Sequence, residues 1–173
     1  MRELALHLLD LAQNSLAAGA SSLRIGVHLS AADDLLRLTV ADNGRGIDPA
    51  LLPAVADPFT TTRTTRQVGL GLPLLKAAAE RCGGALAVSS APGRGTTVTA
   101  DFRLRHVDRA PLGDLAGTVL SLAACNPELD LELDARWDGG NFAFPRRNAA
   151  VCSVRRSPWP IRPSWRRYAN IWR

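Results

Sequence analysis

Leu35-Leu36-Arg37-Leu38-Thr39-Val40-Ala41-Asp42-Asn43-Gly44-Arg45-Gly46-Ile47 is the stretch whose reading decides the fold. Its first seven residues form an apolar run of the kind that fills a buried strand. The strand delivers an aspartate at its end, and two glycines spaced by one residue then let the backbone turn and approach a flat ligand closely. Asn and Gly are also the commonest turn residues, so Asp42-Asn43-Gly44-Arg45-Gly46-Ile47 taken alone is equally well a plain turn. Its surroundings add weight: a helix bearing Asp10 and Asn14 lies upstream, and a second glycine pair, Gly69-Leu70-Gly71-Leu72, lies downstream.

Upstream, Arg2 to Ala18 has helical periodicity. At ~100° per residue Leu4, Leu8, Leu11 and Ser15 share one stripe, while Glu3, His7, Asp10 and Asn14 share the stripe beside it. An ordinary amphipathic helix shows the same division. Four polar groups of complementary chemistry along one edge nevertheless make a candidate site. Gly19 ends the helix. The alternation in Leu23-Arg24-Ile25-Gly26-Val27-His28-Leu29 predicts a half-buried strand, joined to the central one through Ala31-Ala32-Asp33-Asp34 as a hairpin, with His28 on the solvated face.

Downstream, Asp48-Pro49 predicts an N-cap and first turn, with a short helix through Val55. Asp57 to Val68 is rich in hydroxyls and arginine and has no apolar period; a loop of that length inside a compact domain is usually functional, often a lid. A helix from Leu72 to Arg81 follows, with Pro73 in its permitted first turn and Gly83 closing it. The glycine pair ahead of it leaves backbone N–H groups free to meet an anion. Two strands are predicted over Ala85–Ser90 and Thr96–Leu104, joined by Ala91-Pro92-Gly93-Arg94-Gly95. A helix from Pro111 to Ala124 and a short edge strand over Leu129–Leu133 complete the pattern, and no element is assigned beyond Arg136.

A chain of 173 residues is long enough to bury roughly two-thirds of its unfolded surface in one domain. Cys82, Cys125 and Cys152 are odd in number and form no Cys-x-x-Cys pair, which argues against a zinc site or disulfide framework and for reduced thiols. Polar residues Glu3, His7, Asp10, Gln13 and Asn14 interrupt any signal-peptide core, and no run reaches the ~18 apolar residues of a membrane span, so a cytoplasmic protein without membrane contact is expected. The net charge of +5 is uneven: residues 136 to 173 hold nine arginines against one acid, leaving residues 1 to 135 acidic. Residues 136–173 also hold all four tryptophans, and are expected to be a poorly ordered tail rather than a nucleic-acid-binding arm.

The glycine-bearing loops and the polar helix edge converge on a nucleotide. A Walker A spacing is absent, and Gly44-Arg45-Gly46 lacks the third glycine of a dinucleotide fingerprint. The series Asp10-x3-Asn14, Asp42-x-Gly44-x-Gly46, Asp57-Pro58-Phe59-Thr60-Thr61-Thr62, Gly69-Leu70-Gly71-Leu72 and Gly95-Thr96-Thr97 resembles the five sequence boxes of the GHKL (Bergerat-fold) ATPases, in their order. The resemblance covers residues 1 to about 104.

That resemblance implies an α/β fold, a two-layer sandwich of a mixed β-sheet with helices packed on one face, holding ATP and Mg²⁺ under a lid in a domain over residues 1–135. Asp42 matches the aspartate that accepts from the adenine amino group, and Gly46 the glycine that lets the base approach. Thr97 matches the threonine that reaches the base through water, Asn14 the Mg²⁺ ligand, and Gly69 and Gly71 the phosphate contacts; Gly44, Thr62 and Leu70 complete the nucleotide-binding set. Arg63 and Arg66 are candidates to close over the γ-phosphate. Hydrolysing members carry a glutamate four residues before the asparagine. This chain has Asp10, one methylene shorter, as its candidate general base.

Phe59-Thr60-Thr61-Thr62, Gly69-Leu70-Gly71-Leu72 and Lys76 are most similar to histidine kinases, whereas Asn14 to Ala20 is most similar to mismatch-repair ATPases. The expected function is an ATP·Mg²⁺ catalytic domain that transfers phosphate to a separate partner protein, because His7 lies inside the ATP helix and cannot be the acceptor in cis. A MutL-like ATP-driven switch with slow hydrolysis and a regulator that binds nucleotide without turnover are the alternatives. A homodimer is compatible with each.

Overall fold

The computed structural model describes residues 3–55 and 71–144. Six strands form one mixed sheet in the order β3-β4-β2-β1-β5-β6. They are β1 (Ser22–Ser30), β2 (Leu35–Asp42), β3 (Ala85–Ala91), β4 (Gly95–Arg103), β5 (Asp130–Trp137) and β6 (Gly140–Phe144). The helices are α1 (Leu4–Ala17), α2 (Leu52–Val55), α3 (Gly71–Arg81) and α4 (Leu115–Cys125). All strand pairs are antiparallel except β1 with β5.

Strand alternation makes this a two-layer molecule. Leu23, Ile25, Val27 and Leu29 of β1, Leu36, Leu38 and Val40 of β2, and Val98, Ala100 and Phe102 of β4 are buried on one face. Against them pack Leu4, Leu8 and Leu11 of α1, Leu75 and Ala79 of α3, and Leu115, Val119 and Leu122 of α4. Each fully buried Leu or Phe contributes about 1.5–3 kcal/mol, so this face holds the fold together. The opposite face is polar and open, and its register sets opposite charges directly across: Arg24 meets Glu132 at 3.1 Å and Arg37 meets Asp101 at 2.7 Å. These exposed pairs stabilise by no more than about 1 kcal/mol each.

The end of α1 aims the chain at the sheet. Gly19 adopts φ 78°, its N–H bonds the Leu16 carbonyl at 2.9 Å, and the Ala20 N–H bonds the Ser15 carbonyl at 3.0 Å. This is a Schellman motif, which only a residue tolerant of positive φ closes without strain. No atom lies within 4 Å of where a Gly19 Cβ would stand, so the requirement is conformational and not steric.

Four expectations change. The helix predicted from Pro111 starts at Leu115, capped by Asp114, whose side chain accepts from the Gly117 N–H at 2.8 Å. The carbonyls of Pro111 and Leu112 instead accept the Leu4 and Ala5 N–H groups at 2.9 and 2.8 Å, satisfying donors that the α1 N-terminus leaves open. Asp48 does not begin a helix through Val55. It closes a turn onto the Ala50 N–H at 2.8 Å, and α2 holds only four residues.

The expected edge strand at Leu129–Leu133 is longer and interior, lying between β1 and β6. Beyond Arg136, where no element was assigned, β5 continues to Trp137 and β6 runs antiparallel to it. Among the described residues no helix is long and apolar enough to cross a membrane.

Candidate functional site

Asp42 ends β2 on the helix-covered face, two residues after buried Val40 in the strand period of two. Its Oδ1 accepts the Gly44 N–H at 2.9 Å and the Thr96 N–H at 3.2 Å. Its Oδ2 accepts the Ser15 hydroxyl at 2.6 Å. An ionised carboxylate has about four lone-pair sites, and three are occupied by the protein, so one acceptor position remains for an incoming donor.

The loop after Asp42 is fastened on three sides. Asn43 Oδ1 accepts the N–H groups of Ser21 and Ser22 at 2.9 Å each, and the Arg45 N–H bonds the Ala18 carbonyl at 3.0 Å. The Gly93 N–H bonds the Arg45 carbonyl at 2.8 Å, and the Ile47 N–H bonds the Ser90 hydroxyl at 2.9 Å. A Cβ on Gly44 would crowd Ala18 at 3.0 Å. Gly46 has φ 71°, and a Cβ there would collide with the Ala91 carbonyl. The glycine is thus required at 46 because the β3–β4 turn passes against it, a reason the sequence reading, which assigned it to base approach, did not contain.

The second half of the site lies where α1 meets the start of α3. Gly71 is buried, and a Cβ on it would displace Asp10 Oδ2 and stand 3.6 Å from Asn14 Nδ2. Asp10 and Asn14 therefore face Gly71, where the described part of α3 begins. Pro73, just after it, has no backbone N–H. Asn14 precedes Ser15, whose hydroxyl holds Asp42, so the two halves adjoin through consecutive residues of α1.

One turn before Asp10, His7 is 3% exposed and its Nδ1 has no hydrogen-bond partner. Burial holds the imidazole below its ordinary pKa, with the Asp10 carboxylate pulling weakly the other way.

Of the residues singled out from sequence, Asp10, Asn14, Asp42, Gly44, Gly46 and Gly71 come together at one end of the sheet. Thr62, Arg63, Gly69 and Leu70 lie outside the described residues, as do Arg66 and the rest of the hydroxyl-rich segment through Val68. Thr97 is not brought in: it is exposed and points to the open face. Thr96 is the residue that touches Asp42, and its hydroxyl lies 2.9 Å from that of Ser90 on the helix-covered side. Counting back by twos from buried Val98 along β4 gives this assignment. Ser15 was legible only as a hydroxyl in a leucine stripe.

The Asp10 carboxylate and the Asn14 carboxamide thus meet at Gly71, on the side of α1 next to Ser15 and Asp42. The remaining acceptor on Asp42 suits an N–H group.

A family model described as histidine kinase-, DNA gyrase B-, and HSP90-like ATPase matches residues 2–106. The sensor protein kinase FleS of Pseudomonas aeruginosa is 47% identical over 104 residues, 60% of this chain and 25% of that one. A non-motile and phage-resistance protein of Caulobacter vibrioides is 35% identical over 111 residues, 59% of this chain and 13% of that one. A probable C4-dicarboxylate sensor kinase of Bacillus subtilis is 33% identical over 82 residues, 47% of this chain and 15% of that one. The chain thus spans a quarter or less of the length of these curated relatives. Among solved structures, the N-terminal domain of a DNA repair protein matches with a TM-score of 0.59 at 18% identity, covering 86% of this chain and 53% of that one, a likeness of fold.

Proposed function

The chain belongs to the histidine kinase-, DNA gyrase B- and HSP90-like ATPase family, and from that premise we propose that it is an ATP·Mg²⁺-binding catalytic domain that transfers the γ-phosphoryl group to a separate partner protein in the cytoplasm. The observation that carries this reading is the adjacency of Asp42, Ser15, Asn14, Asp10 and Gly71. In it Asp42 accepts from the 6-amino group of adenine, and Asn14 holds Mg²⁺ through its side-chain oxygen. Mg²⁺ held there would supply neutralisation of the charge on the phosphates. The amides at the start of α3 meet the phosphates, aided by Gly69 and Leu70 and, from the preceding segment, by Thr62 and Arg63.

The histidine-kinase character of the relatives supports transfer rather than release. His7 is buried within α1, which supports an acceptor other than this side chain. A second reading rests on Asp10: its contact with Gly71 supports a carboxylate that takes a proton from water, giving slow hydrolysis and an ATP-driven switch.

Incubating the purified protein with γ-labelled ATP, alone and with lysate of its own cell, separates the readings. Transfer predicts label on a partner protein, and hydrolysis predicts free phosphate from the protein alone. Intact bound ATP in both incubations would exclude catalysis and leave a nucleotide-binding regulator.

A further inference from the structure

We propose that Ser15 is the positioning residue that makes the pocket select a 6-amino over a 6-oxo purine. The inference rests on the reading of Asp42 given above and concerns how that carboxylate is restricted. Ser15 occupies the core stripe of α1, where Leu4, Leu8 and Leu11 stand at the other positions, and it is 4% exposed. A hydroxyl at such a position needs a partner. Its partner is Asp42 Oδ2, at 2.6 Å, and because an ionised carboxylate only accepts, the hydroxyl is fixed as the donor.

The other oxygen, Oδ1, is already engaged by two backbone N–H groups. The carboxylate is therefore held by three hydrogen bonds, and a single lone-pair position on Oδ2 remains unfilled. A purine 6-amino group donates into that position. A 6-oxo group presents a lone pair to it and is repelled.

The hydroxyl also takes one of the two Oδ2 lone pairs from which a water could bridge to a 6-oxo oxygen. Turning the hydroxyl toward the base instead would forfeit its bond to a charged acceptor, among the stronger hydrogen bonds in a protein. With alanine at 15, both barriers go: a lone pair on Oδ2 is freed and a water can enter, so the wrong base becomes tolerable.

The test is calorimetric titration of ADP and IDP into wild type, Ser15→Ala and Ser15→Thr. Loss of a charge-assisted hydrogen bond predicts that Ser15→Ala weakens ADP on the order of tenfold and IDP much less, so that the ADP:IDP preference falls by about tenfold. Ser15→Thr, which keeps the hydroxyl, retains the preference. An unchanged preference in Ser15→Ala overturns the proposal, as does equal weakening of both nucleotides, the signature of a merely structural role. If Ser15→Ala fails to fold, Ser15→Cys, a weaker donor of similar size, must show an intermediate preference. A wild type that binds neither nucleotide, or both alike, overturns the adenine reading itself and this inference with it, whereas a selective wild type with a selective Ser15→Ala overturns this inference alone.

Discussion

Gly71, the first residue of α3, lies so close to Asp10 of α1 that any side chain at 71 would occupy the place of the Asp10 carboxylate oxygen Oδ2. Two residues 61 positions apart are thereby brought into contact, and the absence of one methyl group keeps them there.

Gly71→Ala is expected to push the carboxylate aside while leaving the fold intact, because the displaced atom is the end of a short movable side chain. A base works only within hydrogen-bond reach, so ATP turnover should fall on the order of tenfold or more with a melting temperature close to wild type. Steady-state kinetics beside thermal melting checks this. Unchanged turnover would remove Asp10 from the reaction.

Asp42→Asn substitutes an amide that must present either a weaker oxygen or an N–H₂ to three donors: the Gly44 and Thr96 N–H groups and the Ser15 hydroxyl. An N–H₂ facing donors is repelled, and the acceptor for a purine amino group is lost. ADP affinity should drop on the order of a hundredfold, as expected for a hydrogen bond to a charged group plus disordered neighbours. Titration calorimetry measures it, and wild-type affinity in this variant would dismantle the site.

Thr96 and Thr97 are neighbours on opposite faces of the sheet. Thr96→Val removes a hydroxyl paired with Ser90 at 2.9 Å near Asp42 and should weaken ADP by about fivefold, the worth of one neutral hydrogen bond. Thr97→Val changes only the open face and should leave affinity at the wild-type value. The reverse pattern would restore Thr97 to the site.

His7 is held below its ordinary pKa of 6.5 by burial, so the folded state favours the neutral ring. The unfolded chain then binds the extra proton first on acidification. Stability linked to His7 is fully present above pH 6.5 and is lost as pH falls from 6.5 through the folded-state value. Melting curves from pH 8 to pH 5 should steepen below 6.5 in wild type and be flatter in His7→Gln. Parallel curves would show that His7 stays neutral, or equally charged, in both states.

Local periodicity made much of the molecule legible. Leucines at helical spacing define α1, alternation defines β1, and the Leu35–Ala41 run ending in an acid places Asp42 at a strand tip; each depends on neighbours a few residues away. The five spaced motifs pointed to the family for the same reason. The start of α4 was misjudged because Pro111 and Leu112 give their carbonyls to the N-terminus of α1, a partner more than 100 positions distant.

By itself the sequence determined where α1, α3 and the strands β1 to β4 lie, which residues carry acceptors and amides, and that glycine recurs where backbone must pass close. Only the tertiary structure decided that β5 enters the sheet parallel to β1, that Thr96 rather than Thr97 meets Asp42, and that Ser15 fixes one of that carboxylate's oxygens. The reason is physical: secondary structure follows from side chains a turn or a pleat apart. A carboxylate's free lone pair depends on which donors the fold brings to it from α1, from the loop beyond β2 and from β4.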